Sequence, residues 1–191
     1  MADVVLFHHV QGLTEGVRRL ADAMRAGGHT VHTPDFFGGA TFPSIDEGFA
    51  AVRGRGEGAL HAWADEVVAD LPDGLVLAGV SLGVMPAQRL AQTRPGARGA
   101  VLLEACAPPS AFGGGWPAGV PVQVHGMEHD PFFGLEGDIE AAHELVAGAD
   151  DGELFVYPGD VHLFTDSSLP SHDAAATAQV LERVLALLAR V

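Results

Sequence analysis

The feature that most constrains the fold of this chain is an alternation of short apolar runs with segments of helical periodicity. The run Val4–Phe7 precedes a segment that places Val17, Leu20, Ala21 and Met24 at i, i+3, i+4 and i+7. Strands that are apolar on both faces and alternate with helices favour a parallel sheet covered on both sides. We therefore expect one α/β domain over residues 1–191, with a compact, mostly parallel six-stranded sheet and helices on both faces.

The pattern predicts six strands and five helices. The predicted strands are Val4–Phe7, Thr30–Thr33, Leu75–Ala78, Ala100–Leu103, Val120–Val124 and Leu154–Tyr157. The predicted helices run from a Thr14 cap to Gly27, from Glu57 to Leu71, from Met85 to Thr93, from about Asp138 to Ala147, and from about Ser171 onward. Two glycine-rich segments, Phe36–Gly56 and Pro108–Gly119, are predicted to be irregular and to lie beyond the carboxyl ends of the strands. They either overhang a site or are ordinary loops.

Charge and cysteine content narrow the partners and the compartment. A net charge of −15 argues against nucleic acids, anionic membranes and highly anionic substrates, because the summed field repels them. The single cysteine, Cys106, excludes an internal disulfide and favours a reducing cytoplasm. The start Met1-Ala2-Asp3 lacks the basic residues of a signal peptide, and no apolar run is long enough to span a bilayer. The sequence does not indicate an oligomeric state.

The most informative motif is Gly79-Val80-Ser81-Leu82-Gly83, which stands between a predicted strand and a predicted helix. The pattern G-x-S-x-G in this context is typical of the nucleophile elbow of α/β-hydrolases. Small residues on both sides of the serine allow a sharp turn that exposes its hydroxyl. The first amide of the following helix can then face a developing oxyanion. The motif therefore predicts Ser81 as a nucleophile.

A serine nucleophile needs a histidine to take its proton and an acid to orient that histidine. His162 follows the last predicted strand, where this fold places the base, and we choose it among ten histidines for that reason. The acid is expected after the preceding strand, where Glu128 and Asp130 compete. We favour Asp130, because Asp-Pro fixes a turn and the shorter side chain holds an imidazole more rigidly.

These residues and two further motifs resemble the dienelactone hydrolase family over essentially the whole chain. The motifs are Thr33-Pro34-Asp35-Phe36-Phe37-Gly38 after the second strand and Tyr157-Pro158-Gly159 before His162. The resemblance implies a compact α/β-hydrolase fold whose triad cleaves small esters and lactones without a cofactor. Better-known members use a cysteine nucleophile, so Ser81 departs from the pattern and an ordinary serine triad is the simpler interpretation.

The same resemblance suggests roles for residues outside the triad. It places His9 where those members carry a glutamate, and it sets the Val10 N–H beside the Leu82 N–H as an oxyanion hole. It also places Asp166 where members that cleave dienelactone are expected to bind the substrate carboxylate with an arginine. An aspartate there would repel that carboxylate, so we expect neutral short-chain esters or lactones to be preferred over anionic dienelactones.

Several residues have two possible roles. His9 either lines the substrate pocket or bonds to nearby backbone. Cys106 is a weak alternative nucleophile because it lacks an elbow sequence, and a buried apolar role is favoured. The aromatic residues in loops on the active side either form a pocket wall or pack in the core. They are Phe37, Trp116, Phe132, Phe133 and Phe164.

Three classes of function compete. The first is a serine hydrolase acting on a small-molecule ester or lactone, with acyl transfer to an alcohol or to peroxide as variants that use the same residues. The second is a metal-dependent protein using His8 and His9, or His125 with His129. No H-E-x-x-H motif, helically spaced histidine pair or cysteine cluster supports it, so neither a metal nor a cofactor is expected. The third is a non-catalytic binding protein with a hydrolase fold.

Overall fold

Six strands and six α-helices make up the computed structural model, which describes residues 1–191. The strands are β1 (Asp3–Phe7), β2 (Thr30–His32), β3 (Leu75–Val80), β4 (Gly99–Leu103), β5 (Val122–Met127) and β6 (Gly152–Tyr157). The helices are α1 (Glu15–Ala26), α2 (Ile45–Gly54), α3 (Ala59–Ala69), α4 (Val84–Thr93), α5 (Asp138–Gly148) and α6 (Ala174–Leu188). The strands form one sheet in the order β2-β1-β3-β4-β5-β6, and every neighbouring pair is parallel.

The sheet separates two hydrophobic cores, which confirms the predicted parallel sheet with helices on both faces. Because successive side chains of a strand point to opposite faces, Val4 and Leu6 of β1 pack in a core that includes residues of α1 and α6. Val5 and Phe7 pack on the other face in a core that includes residues of α3, α4 and α5. All carboxyl ends of the strands meet at one edge, where a site is expected.

Helix α2 corrects the prediction that residues 36–56 are irregular throughout. Ser44 caps this helix, and its Oγ accepts a hydrogen bond from the Glu47 N–H at 3.3 Å. The pattern Ser-x-x-Glu is a capping box, and the glycines around it obscured this signal in the sequence. Gly48 allows α2 to lie directly on the chain after β1, since a Cβ at this position would be 2.2 Å from the Val10 carbonyl oxygen.

Other element boundaries differ from the predictions by a few residues. Strand β5 was predicted at Val120–Val124 but spans Val122–Met127, because Gly126 continues the strand instead of ending it. A Cβ on Gly126 would lie 2.1 Å from the Phe133 ring, so the missing side chain makes room for that ring in the core. The last helix begins at Ala174, where Asp173 accepts hydrogen bonds from two N–H groups of the first turn, and not at Ser171.

Candidate active site

Ser81 lies on a sharp turn between β3 and α4. Its φ is +49°, a left-handed conformation that is uncommon for residues other than glycine. A Cβ on Gly79 would lie 2.2 Å from the Gly83 carbonyl oxygen, and a Cβ on Gly83 would lie 2.2 Å from the Phe7 carbonyl oxygen. Both glycines of the G-x-S-x-G motif are therefore required for the turn to form against the end of β1.

The structure brings Ser81, His162 and Asp130 into one hydrogen-bonded chain. The Ser81 Oγ lies 2.8 Å from His162 Nε2, and His162 Nδ1 lies 2.7 Å from Asp130 Oδ2. The Asp130 side chain is fully buried, and its Oδ1 accepts a hydrogen bond from the Phe132 N–H at 2.8 Å. A carboxylate at Nδ1 favours the tautomer whose Nε2 is free to accept the serine proton. Glu128, the competing acid, is exposed to solvent.

The two N–H groups suggested for an oxyanion hole belong to neighbouring strand ends. Val10 follows β1 and Leu82 follows β3, and these strands pair with Phe7 opposite Gly79. The Val10 N–H has no hydrogen-bond partner in the protein. Helix α2 holds this segment in place through the close contact between Gly48 and the Val10 carbonyl. The Val10 amide is thus free to bind a ligand.

His9 and Asp166, two of the positions that depart from the family pattern, bond to each other. His9 Nε2 lies 2.7 Å from Asp166 Oδ2, and both side chains are almost fully buried. Thr14 and Ser168 also donate hydrogen bonds to the Asp166 carboxylate. Burial alone would raise the pKa of Asp166, but the hydrogen bonds from His9, Ser168 and Thr14 outweigh it and lower the pKa.

This contact bears on two expectations. Asp166 does not face a substrate, because its carboxylate points into the protein toward His9. His9 is not among the residues that line the cavity at the triad; of its two possible roles the structure shows the bond to nearby backbone, since its Nδ1 accepts a hydrogen bond from the Gln11 N–H at 3.2 Å. The pair joins the segment after β1 to the segment that follows His162.

A cavity of about 210 Å³ lies beside the triad. Its apolar lining comes from α2, from the start of α4, from the end of β4 and from the segment before α5, and three carboxyl groups complete it. The lining residues are Phe49, Ser81, Leu82, Met85, Glu104, Ala105, Phe132, Glu136, Asp138 and His162. His162 also borders a second depression of about 420 Å³, together with Gln11, Ile45 and Leu169.

Among the aromatic residues proposed for the pocket wall, only Phe132 lines the cavity, with its ring centroid 4.6 Å from that of His162. Phe37 packs against His8 and Phe42, and Trp116 is buried with its Nε1 donating to the Val120 carbonyl. The other two, Phe133 and Phe164, are fully buried core residues. Phe37, Trp116 and Phe164 do not line this cavity, and their burial matches the alternative role of core packing.

Glu104 is a residue of the site that the sequence analysis missed. It follows β4 directly, is fully buried, and has a left-handed φ of +65°. Its Oε1 accepts hydrogen bonds from the N–H and the hydroxyl of Thr165, at 2.9 and 2.7 Å. Burial raises the pKa of this carboxyl group. A charged residue directly after an apolar strand, next to the nucleophile strand, was the available signal.

Cys106 lies away from the cavity lining. It is buried, and burial raises the pKa of its thiol, which opposes formation of a thiolate. Its N–H donates to Asp138 Oδ2 at 3.0 Å. This backbone contact fixes the start of α5 against the end of β4, so the segment has a structural role in the cavity wall.

The structure contains no group of three or more His, Cys, Asp or Glu side chains arranged to hold a metal ion. None of its helices combines the length and apolarity that a membrane crossing requires.

The sheet order, the serine on a strand-to-helix turn and the histidine after the last strand define an α/β-hydrolase. The chain belongs to the dienelactone hydrolase family, whose model matches residues 1–191. This confirms the resemblance found in the sequence and supports a hydrolase. No curated protein sequence matches the chain.

Solved structures of similar fold share little sequence with this chain. A dienelactone hydrolase-like promiscuous phosphotriesterase from metagenomic libraries is 17% identical with a TM-score of 0.73, covering 100% of this chain and 86% of its own. A dienelactone hydrolase from Anabaena variabilis is 15% identical with a TM-score of 0.62, covering 99% and 86%. A cold-adapted esterase from an Arctic intertidal metagenomic library is 18% identical with a TM-score of 0.59, covering 97% and 82%. At these identities the likeness shows the fold.

Proposed function

We propose that the protein is a serine hydrolase that cleaves small carboxylic esters or lactones through Ser81, His162 and Asp130. The observation that carries the proposal is the hydrogen-bonded chain from the Ser81 hydroxyl through both nitrogens of His162 to the buried Asp130 carboxylate. Family membership and the esterase among the structural neighbours support the same reaction class.

The reaction begins when Ser81 Oγ attacks the substrate carbonyl carbon while His162 Nε2 takes the hydroxyl proton. Asp130 stabilises the resulting imidazolium at Nδ1. The N–H groups of Val10 and Leu82 donate to the oxyanion of the tetrahedral intermediate, and one such donor is typically worth about 3 kcal/mol. His162 then protonates the leaving alcohol, and an acyl ester on Ser81 remains. A water molecule, deprotonated by His162, releases the acid and regenerates the serine.

The cavity beside the triad limits the size and the charge of the substrate. Its volume of about 210 Å³ accommodates a small ester or lactone, and Phe49, Met85 and Phe132 supply apolar contact. No lysine or arginine lines it, so nothing in the cavity compensates the negative charge of a dienelactone carboxylate. We propose a small-molecule substrate without a carboxylate, with no cofactor in the reaction.

Labelling with a fluorophosphonate, followed by mass spectrometry, tests the nucleophile. We expect an adduct on Ser81 and none in Ser81→Ala. Ester turnover should fall by at least about a thousandfold in Ser81→Ala, because the triad acts as a unit. Cys106→Ser is the matched control and should keep most activity, since the thiol lies outside the cavity lining. Loss of labelling and turnover in Cys106→Ser, with both retained in Ser81→Ala, would contradict the proposal.

A further inference from the structure

The cavity at Ser81 has an acidic wall that the proposed reaction does not use. Three carboxyl groups line it at increasing depth: Glu136 is exposed at the rim, Asp138 is half-buried and Glu104 is fully buried. His162 is the only basic side chain in the lining. The cavity wall therefore shares the acidic character of the whole chain, whose net charge is −15, although burial raises the pKa of both Glu104 and Asp138.

Glu104 contributes an unused hydrogen-bond acceptor to this wall. Thr165 occupies its Oε1, whereas Oε2 is buried and has no hydrogen-bond partner. A buried polar atom without a partner is rare and destabilising, because it has lost its hydrogen bonds to water and has formed none within the protein. Glu104 is one of the residues that line the substrate cavity, and a hydrogen-bond donor on a bound ligand would satisfy this atom.

Glu104 and Ser81 lie side by side at the edge of the sheet. Val80 and Leu103 are register partners in the paired strands β3 and β4, so Ser81 and Glu104 are the next residues at adjacent strand ends. Both have left-handed φ values, at which the two strands stop. Neighbouring strands lie about 4.8 Å apart, so one small molecule can contact both Ser81 and Glu104.

We propose that this cavity selects esters that carry a protonated amine, with the ammonium group donating to Glu104 and facing Asp138. The inference rests on the proposed ester hydrolysis and adds the charge of its substrate. The hydrocarbon part of the substrate packs against Phe49, Met85 and Phe132. A cation also favours the ionised form of Glu104, offsetting the burial that raises its pKa. The net charge of the chain attracts cations over a longer range.

Three phenyl acetates of nearly equal size test the proposal. At about pH 7 the ester with a meta-aminomethyl group is cationic, the one with a meta-ethyl group is neutral and the one with a meta-carboxymethyl group is anionic. Each kcat/KM is divided by the rate of hydroxide-catalysed hydrolysis of the same ester, which removes differences in the leaving group. We expect the cationic ester to exceed the neutral one by about tenfold to a hundredfold, as for a hydrogen bond between charged groups, and the anionic ester to be slowest.

The variants Glu104→Gln and Asp138→Asn remove the charges while keeping the acceptors for Thr165 and Cys106. Glu104→Gln should reduce the cationic preference to less than about threefold, and Asp138→Asn should reduce it by a smaller factor. Glu140→Gln is the matched control, because Glu140 is exposed on α5 and lies outside the cavity. In about 0.5 M NaCl the preference should persist in the wild type, since salt screens long-range attraction more than a buried contact.

Two results would overturn the inference and leave the proposed function standing. One is equal turnover of the cationic and neutral esters. The other is an equal loss with all three esters in Glu104→Gln, because that would give Glu104 a purely structural role beside Thr165. If no ester is hydrolysed, the proposed function fails, and calorimetry with benzylamine hydrochloride still decides the inference. We expect benzylamine to bind the wild type at least about tenfold more tightly than Glu104→Gln, and equal affinities would refute it.

Discussion

Asp130→Asn is the substitution that most directly tests the geometry of the triad. The buried carboxylate accepts two hydrogen bonds, from His162 Nδ1 at 2.7 Å and from the Phe132 N–H at 2.8 Å. An asparagine has one oxygen and one NH₂ group, so it cannot accept both. If the oxygen stays with Phe132, the NH₂ group faces Nδ1, and the imidazole must carry its proton on Nε2. That tautomer cannot accept the proton of Ser81.

If the amide turns the other way, its NH₂ group faces the Phe132 N–H, and one buried donor is left without a partner. This costs about 1–3 kcal/mol and disturbs the loop before α5. Because the first orientation keeps that backbone bond, we expect it to dominate. The loss in kcat should then be about a thousandfold to ten-thousandfold, which corresponds to about 4–5.5 kcal/mol of transition-state stabilisation.

The assay is steady-state hydrolysis of 4-nitrophenyl acetate by the wild type, Asp130→Asn and the matched control Glu128→Gln. Glu128 is exposed, so its variant should retain activity within about twofold, as expected for a surface change. Urea unfolding of all three proteins separates a catalytic loss from a folding defect. Comparable losses in the two variants, or a larger loss in Glu128→Gln, would refute the assignment of Asp130.

Two further substitutions test the environment of the site. Burial lowers the pKa of His8 to about 4 in the folded protein. The unfolded chain, in which this pKa is about 6.5, therefore takes up the proton at a higher pH than the folded protein does. The free energy of unfolding consequently falls as the pH drops from about 6.5 toward 4. Between pH 7 and pH 5 this group should cost about 2 kcal/mol in urea unfolding. His8→Gln should remove that part of the pH dependence, while exposed His143→Gln should not. Gly48→Ala should lower kcat/KM by at least about tenfold, because its Cβ would push α2 off the Val10 carbonyl. Gly54→Ala has open space on the same helix and should retain activity, and equal effects of the two changes would contradict this account.

The sequence predicted the sheet well because its signal is local and repeated. Continuously apolar strands such as Leu75–Ala78 leave few arrangements other than a parallel sheet covered on both faces. The three triad candidates also followed from position, since each comes just after a strand and those ends share one edge of the sheet. The fold then brings Ser81, Asp130 and His162 within hydrogen-bonding distance of one another.

The contacts of the loops could not be predicted in the same way. A loop residue can point toward the cavity or into the core, and sequence spacing does not distinguish the two. Phe132 lines the cavity, whereas its neighbour Phe133 fills the space left by Gly126. Asp166 was expected to face a substrate, but His9 and Thr14 from another segment and the hydroxyl of the nearby Ser168 satisfy its carboxylate inside the protein.

The expectation that anionic dienelactones are disfavoured now depends on different residues from those that first suggested it. Asp166 cannot repel a substrate, since its charge is paired within the protein with His9 and hydroxyl groups. The carboxyl groups of Glu104 and Asp138 occupy the cavity wall instead, and neither faces an arginine or a lysine there. The carboxylate of a bound dienelactone would lose hydration and be repelled by these groups in their ionised form, and both effects oppose binding. We therefore expect the acidic cavity wall to disfavour an anionic lactone, whereas the hydrogen-bonded chain at Ser81 does not include these carboxyl groups.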